Sequence, residues 1–98
     1  MEQNRISVRG KVAVVTGGGQ SLGLAISRAF RNAGAQVVIA EVNDEIGPDA
    51  AEELDGTFVH TGVTDPDSVR NMVEMVMYEQ GRLDVLVNNA GIVHNIPS

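Results

Sequence analysis

The sequence predicts an α/β domain built on a mainly parallel sheet, and three observations point there. Fifteen of the 98 residues are valine, many in short unbroken runs, which is the composition of strands buried on both faces of a sheet. Apolar runs alternate with stretches of helical period, and these supply the crossover helices that parallel strands require. Only three residues are aromatic, so the core is aliphatic. The length fits a single domain over residues 1–98 with one modest core, since a chain of this size buries about two-thirds of the surface its unfolded state exposes.

Lys11 to Thr16 reads as the first strand, because Val12, Ala13, Val14 and Val15 form an apolar run stopped by Gly17, Gly18 and Gly19. The period then changes. Leu22, Ala25, Ile26, Ala29, Phe30 and Ala33 share one face of a helix, and Gly34 sits where a C-terminal cap belongs. Gln36 to Glu41 is a second buried strand, reached by so short a connection that it returns beside the first. Asn43 to Leu54 is a shorter helix with Pro48 near its first turn, where a missing N–H costs nothing. Thr57 to His60 is a third strand. Thr64, Asp65 and Pro66 open the next helix, whose expected buried face is Val69, Met72, Val73, Val76 and Met77. Core filling accounts for two of its three methionines, Met72, Met75 and Met77. Leu83 to Val87 is a fourth strand, followed by Asn88, Asn89, Ala90 and Gly91.

Composition narrows the function. The formal net charge of −6 repels phosphate backbones and anionic headgroups, so nucleic acid and membrane surfaces are excluded as partners. Without cysteine there are no disulfides, thiolate nucleophiles or cysteine-ligated metals. Met1 to Gly10 lacks the apolar stretch of a signal peptide, and no run approaches the roughly 20 apolar residues that span a bilayer, so a cytoplasmic location is expected. The acidic residues Asp44, Glu45, Asp49, Glu52, Glu53 and Asp55 read as a solvated helix face, not as a metal site.

One constellation carries chemistry. A strand ending in Thr16, the loop Gly17-Gly18-Gly19-Gln20-Ser21-Leu22-Gly23 and a helix directly behind it make a site for a diphosphate. The unpaired N–H groups and the dipole of the helix N-terminus attract the anion, and glycines let the backbone come close. Glu41 stands at the end of the second strand, where a carboxylate accepts hydrogen bonds from a ribose diol and repels a 2′-phosphate. No Arg or Lys lies in the loop or just after Glu41, so NAD is favoured over NADP.

These residues resemble the short-chain dehydrogenase/reductase family. Its Thr-Gly-x-x-x-Gly-x-Gly loop appears as Thr16 to Gly23, and its Asn-Asn-Ala-Gly signature as Asn88-Asn89-Ala90-Gly91, after the typical stretch Leu83-Asp84-Val85-Leu86-Val87. The resemblance implies a Rossmann-like, doubly wound sheet of strand order 3-2-1-4 in the portion present. It also implies an NAD-dependent oxidoreductase that moves hydride between nicotinamide and a small-molecule alcohol or carbonyl substrate, working as a homo-oligomer when complete. The expected cofactor-binding residues are Gly17, Gly19, Gln20, Ser21, Leu22, Gly23, Glu41, Val63, Asn89, Ala90 and Gly91, with no metal ligands. Asn88 is expected to be structural, a buried amide tying neighbouring strands together.

The chain departs from the family pattern in three ways. The middle glycine of the loop is Ser21, whose Cβ crowds a close approach while its hydroxyl offers a cap or a phosphate donor. After the third strand the family usually has Asp-Val-x-Asp, with the first Asp meeting the adenine amino group; here the residues are Gly62-Val63-Thr64-Asp65, and Asp65 reads as a helix cap. The Ser and Tyr-x-x-x-Lys catalytic groups of the family lie beyond Asn-Asn-Ala-Gly. Tyr78 and the sole lysine, Lys11, match neither the spacing nor the order, and His60 and His94 have no visible orienting acid. No catalytic residue is therefore assigned, and the 98-residue chain alone is expected to be inactive. The rival expectation is a non-catalytic, truncated dinucleotide-binding fragment. A methyltransferase also begins with a glycine loop and an acidic strand end, but Asn88-Asn89-Ala90-Gly91 speaks against it.

Overall fold

The structure, a computed structural model, describes residues 7–89. Its elements alternate in the expected order: β1 (Val12–Thr16), α1 (Ser21–Asn32), β2 (Gln36–Glu41), α2 (Ile46–Glu53), β3 (Thr57–His60), α3 (Pro66–Gln80) and β4 (Val85–Asn88). All three strand pairings are parallel and the sheet order is β3-β2-β1-β4, the Rossmann-like arrangement expected from the sequence. Order reverses after β3, which puts β4 on the other side of β1 and a switch point at their paired C-terminal ends, beside the glycine loop.

The valine runs are buried on both sides of the sheet. All five residues of β1 are buried, as are Val37 to Glu41 of β2. One face packs Val12, Val14, Val38, Ala40 and Val59 against Met72 and Val76 of α3. The opposite face packs Val37 and Ile39 against Ala50, Ala51 and Leu54 around α2, with Leu24 and Phe30 of α1 alongside. Removing this apolar surface from water, at roughly 25 cal/mol per Å², is the main favourable contribution to folding.

Local chemistry sets the helix ends. Asp65 Oδ1 accepts from Asp67 N at 2.9 Å with Pro66 at the first helical position, so α3 opens on the expected cap. It closes at Gly81, whose φ of +80° lies in the left-handed region. Helix α2 starts three residues later than Asn43, because Asn43 Oδ1 accepts from Glu45 N at 2.8 Å and Ile46 N at 3.0 Å and holds the intervening residues in a turn. Strand β4 begins at Val85 because Asp84 is engaged differently. Its Oδ2 accepts from Val12 N at 2.8 Å and from Arg82 Nε at 2.7 Å, and the Arg82 guanidinium holds its carboxyl below the usual carboxylate range, helped by that backbone bond.

Burial on two helices departs from their apolar stripes. Leu22, Ala25, Ile26, Ala29, Phe30 and Ala33 share one face of α1 as read from the sequence, but the residues fully buried against the sheet are Gly23 and Ser27; Leu22 is 61% exposed. Small side chains on the inward face bring α1 close to the glycine loop, which turns most of the apolar stripe outward. On α3, Met77 is also exposed, because burial follows Met72 and Val76 at i, i+4 and Met77 lies about 100° around from Val76. Among the described residues, no helix is long and apolar enough to cross a membrane.

Strand β4 is an edge of this sheet, with Leu86 exposed and Val85 and Val87 only half-buried. An apolar edge with unpaired N–H and C=O groups invites another strand. The 98-residue polypeptide taken alone is therefore expected to self-associate or to be partly unfolded in sedimentation and thermal melting. A monodisperse monomer with a cooperative transition above roughly 45 °C, the lower end for mesophilic domains, would contradict this.

Candidate functional site

The site is assembled where β1 ends. The β1–β2 ladder runs on into the loop through Gly17 N, which donates to Ala40 O at 2.7 Å, and Gly17 then turns with φ of +64°. The hydroxyl of Thr16 ties the other side. It donates to Val87 O at 3.1 Å, lies 3.3 Å from Asn88 Oδ1 and accepts from Asn89 N at 2.8 Å. Asn89 Nδ2 reaches Gly17 O at 3.5 Å, so the end of β4 and the start of the loop are joined twice. Asn88 does link the strands, but it is exposed, not buried, because β4 is an edge.

Close packing explains the glycines. A Cβ on Gly23 would fall onto the Gly17 carbonyl and come within 2.8 Å of Asn89 Nδ2; one on Gly18 would lie 2.8 Å from Val15 O and 2.9 Å from Ser27 Oγ. The Ser27 hydroxyl, fully buried, lies 2.8 Å from Gly23 O and 3.3 Å from Gly18 O and pins the first turn of α1 to the loop. Thr16 and Ser27 therefore hold the loop from opposite sides. The sequence places Thr16 at the head of the loop motif but does not single out Ser27, a lone hydroxyl on the helix face that turns out buried.

Glu41 is 4% exposed, and both carboxylate oxygens are engaged. Oε1 accepts from Gly19 N and Oε2 from Asn43 N, each at 3.2 Å. A Cβ on Gly19 would meet Glu41 Oε1 at 3.1 Å, so these two residues are in contact across 22 positions of sequence. The same carboxylate borders a cavity of about 200 Å³ lined by Gly17, Ala40, Val42 and the turn from Thr61 to Thr64. Val63 is among the residues lining this cavity. Val42, Thr61 and Thr64 were not picked out, because residues after a strand end carry no periodic signal.

The N-terminus of α1 differs from the other two. Asp65 caps α3 and Asn43 holds the start of α2, whereas Gln20 makes no side-chain cap bond to α1. The N–H groups of Ser21, Leu22 and Gly23 have no partner among the described residues. They form an uncompensated donor set at the positive end of a 12-residue helix, which is the arrangement that receives a phosphate or diphosphate. Ser21 is exposed, has φ of +53° and its hydroxyl has no partner among the described residues, so it does not cap the helix. Gln20 and Leu22 are exposed at the same place, while Ala90 and Gly91 lie outside the described residues.

Other candidates have ordinary roles. His60 does have an acidic partner, Asp44 Oδ1 at 2.8 Å from Nδ1, but both are exposed and neither lines the cavity. Glu53 pairs with Arg28 at 2.6 Å, and among the described residues no three acidic or histidine side chains gather as a metal would require.

Comparison with known proteins agrees with this geometry. Residues 11–98 match the family model described as short chain dehydrogenase. A protein of Thermotoga maritima named as an uncharacterized oxidoreductase is 50% identical over 91 residues, which cover 88% of this chain and 36% of that protein. Tropinone reductase-like 1 of Erythroxylum coca is 40% identical over 88 residues, covering 88% of this chain and 32% of that protein. The crystal structure of L-sorbose reductase from Gluconobacter frateurii, complexed with NADPH and L-sorbose, superposes with a TM-score of 0.84 at 35% identity, covering 93% of this chain and 37% of that one. The chain thus spans about a third of the length of these relatives.

Two substitutions in the loop are expected to act with opposite sign. Gly23→Ala forces the loop off α1 and should cost about 1–3 kcal/mol of stability by overpacking. Ser21→Gly removes a side chain from a left-handed position and should be neutral or stabilising by up to about 1 kcal/mol. Chemical denaturation of the two variants checks both.

Proposed function

Since the chain belongs to the short-chain dehydrogenase/reductase family, we propose that it binds NAD at the glycine loop. On this reading it is the cofactor half of an oxidoreductase acting on a small-molecule alcohol or carbonyl compound. The observation that carries the reading is the uncapped N-terminus of α1 beside a buried acidic strand end. The nicotinamide of a bound dinucleotide supplies the hydride acceptor or donor.

The chain's own residues bind and orient. Gly17 and Gly23 shape the loop, Gly19 holds Glu41, and the backbone of Gln20, Ser21 and Leu22 leads the free N–H groups to the diphosphate. Glu41 receives the adenosine ribose. A carboxylate offers about four acceptor sites, and the two spent on Gly19 N and Asn43 N leave two for a diol. Val63 borders the base, and Asn89, with Ala90 and Gly91 following it, borders the cofactor on the β4 side. Among the described residues no Lys or Arg lines the cavity, and a 2′-phosphate there would face a nearly buried carboxylate; both features support NAD over NADP.

Reaction chemistry is a separate matter. Tyr78 is 90% exposed on α3 and Lys11 precedes β1, so these 98 residues contribute no Tyr-x-x-x-Lys pair to move a proton at the reacting oxygen. The proposal accordingly assigns binding to this chain, no dehydrogenase activity to the 98 residues alone, and cytoplasmic hydride transfer to a complete homo-oligomeric fold. The rival reading, a non-catalytic dinucleotide-binding fragment, shares the same site and differs only in lacking a reaction.

Titration with both cofactors tests the reading. NADP should bind more weakly than NAD by about 1–3 kcal/mol, the magnitude of a charged hydrogen bond lost and a repulsion gained. Glu41→Ala should weaken both, because it also releases Gly19, and should narrow the gap between them. Equal or tighter binding of NADP by the unaltered protein would remove the role given to Glu41.

A further inference from the structure

His60 and Asp44 stand outside the cavity, yet they are tied to the carboxylate that borders it. His60 ends β3 in register with Glu41 at the end of β2, and Thr61 N donates to Glu41 O at 3.0 Å. Phe58, two residues before His60, and Ile39, two before Glu41, both pack against α2. Side chains alternate along a strand, so the His60 imidazole and the Glu41 carboxylate leave the sheet on this same face. There Nδ1 of His60 lies 2.8 Å from Asp44 Oδ1. A carboxylate only accepts, which makes the imidazole the donor.

Residues 42 to 45, which join β2 to α2, are all exposed, so burial does little to fix them and hydrogen bonds must. Within the turn Asn43 Oδ1 accepts from Glu45 N and Ile46 N, and Asn43 O accepts from Gly47 N at 3.0 Å. These bonds set the shape of the turn but not its place against the sheet. Two others set its place: Asn43 N donates to Glu41 Oε2 at 3.2 Å, and Asp44 accepts from His60. Among the described residues the second is the sole hydrogen bond or ion pair from this turn to β3. It closes a ring that runs from the Glu41 carboxylate through Asn43 and Asp44 to His60, and back across the β2–β3 ladder to Glu41.

From this ring we infer that His60 is a positioning residue of the cofactor site. Through Asp44 it holds the turn in place, so that Asn43 N stays on Glu41 Oε2 and the carboxylate keeps its remaining acceptor sites turned to the ribose. The role rests on the dinucleotide reading of the glycine loop. His60 and Asp44 side chains are 54% and 71% exposed, so their pairing stabilises the fold little and both positions tolerate substitution. What the pair fixes is the direction of a neighbouring carboxylate that already bonds Gly19 N across the loop. His60 touches no ligand itself and acts only through Glu41.

The test is titration of the purified protein with ADP-ribose, followed by amide chemical shifts so that weak binding is also read. His60→Leu and Asp44→Ala should each weaken binding about three- to fivefold, the range an exposed pair supports, and together should cost no more than either alone. His60→Asn keeps an N–H donor near the place of Nδ1 and should bind within about twofold of the unaltered protein. In a Glu41→Ala background His60→Leu should change the remaining affinity no further, because the pair then has no carboxylate to aim. A residue that merely supports the fold would lower affinity in that background too, and would not be rescued by His60→Asn. Unchanged binding by His60→Leu, failure of His60→Asn to restore it, or an undiminished loss in the Glu41→Ala background overturns the inference while the cofactor site stands. Failure of the unaltered protein to bind ADP-ribose would remove the cofactor site itself, and the role of His60 with it.

Discussion

The contact of α1 with the glycine loop is the constraint on which the rest of the site depends. The absence of a side chain on Gly23 lets the helix approach the Gly17 carbonyl, and the buried Ser27 hydroxyl fixes that approach by bonding back to the loop. Small inward residues bring the helix start up to the ends of β1 and β2, and three N–H groups are left facing outward without a cap. A larger residue at 23 would push the helix away, and the donor set would no longer share a mouth with Glu41.

Two side chains transmit that constraint to the sheet. Thr16 joins the loop to β4 through Val87 and Asn89, and Glu41 joins it to the turn that starts α2 through Asn43. The surface around the loop is consequently built from backbone held by buried polar contacts. Such groups are costly to bury unless paired, and here each pairing also sets a piece of site geometry. The cavity beside Glu41 is left with a largely apolar lining.

The order of elements and the strand bounds of β2 and β3 were legible because buried parallel strands announce themselves as valine runs and capped helices as Asp-Pro and terminal glycine. Glu41 and the glycine loop were legible as a motif. The direction of α1 was not: the period shows its apolar stripe but not which face meets the sheet, and Gly23 and Ser27, which periodicity discounts, are the buried ones. Met77 failed for a related reason, since an apolar residue at the margin of a stripe is placed by the neighbouring surface and not by its own character. The engagement of Glu41 with Gly19 was out of reach as well. It depends on a contact between residues 22 apart whose spacing follows from the sheet register.

The central claim is that the exposed backbone N–H groups opening α1 receive a diphosphate while Glu41 stays seated against Gly19. Amide chemical-shift mapping during titration with ADP-ribose, which carries the diphosphate and both riboses without nicotinamide, tests it directly. The largest shifts should fall on the amides of Gly19 to Gly23, with smaller ones at Glu41, Gly62 and Val63. Shifts centred on the α3 surface around Met75 and Tyr78, with the loop amides unmoved at saturation, would contradict it.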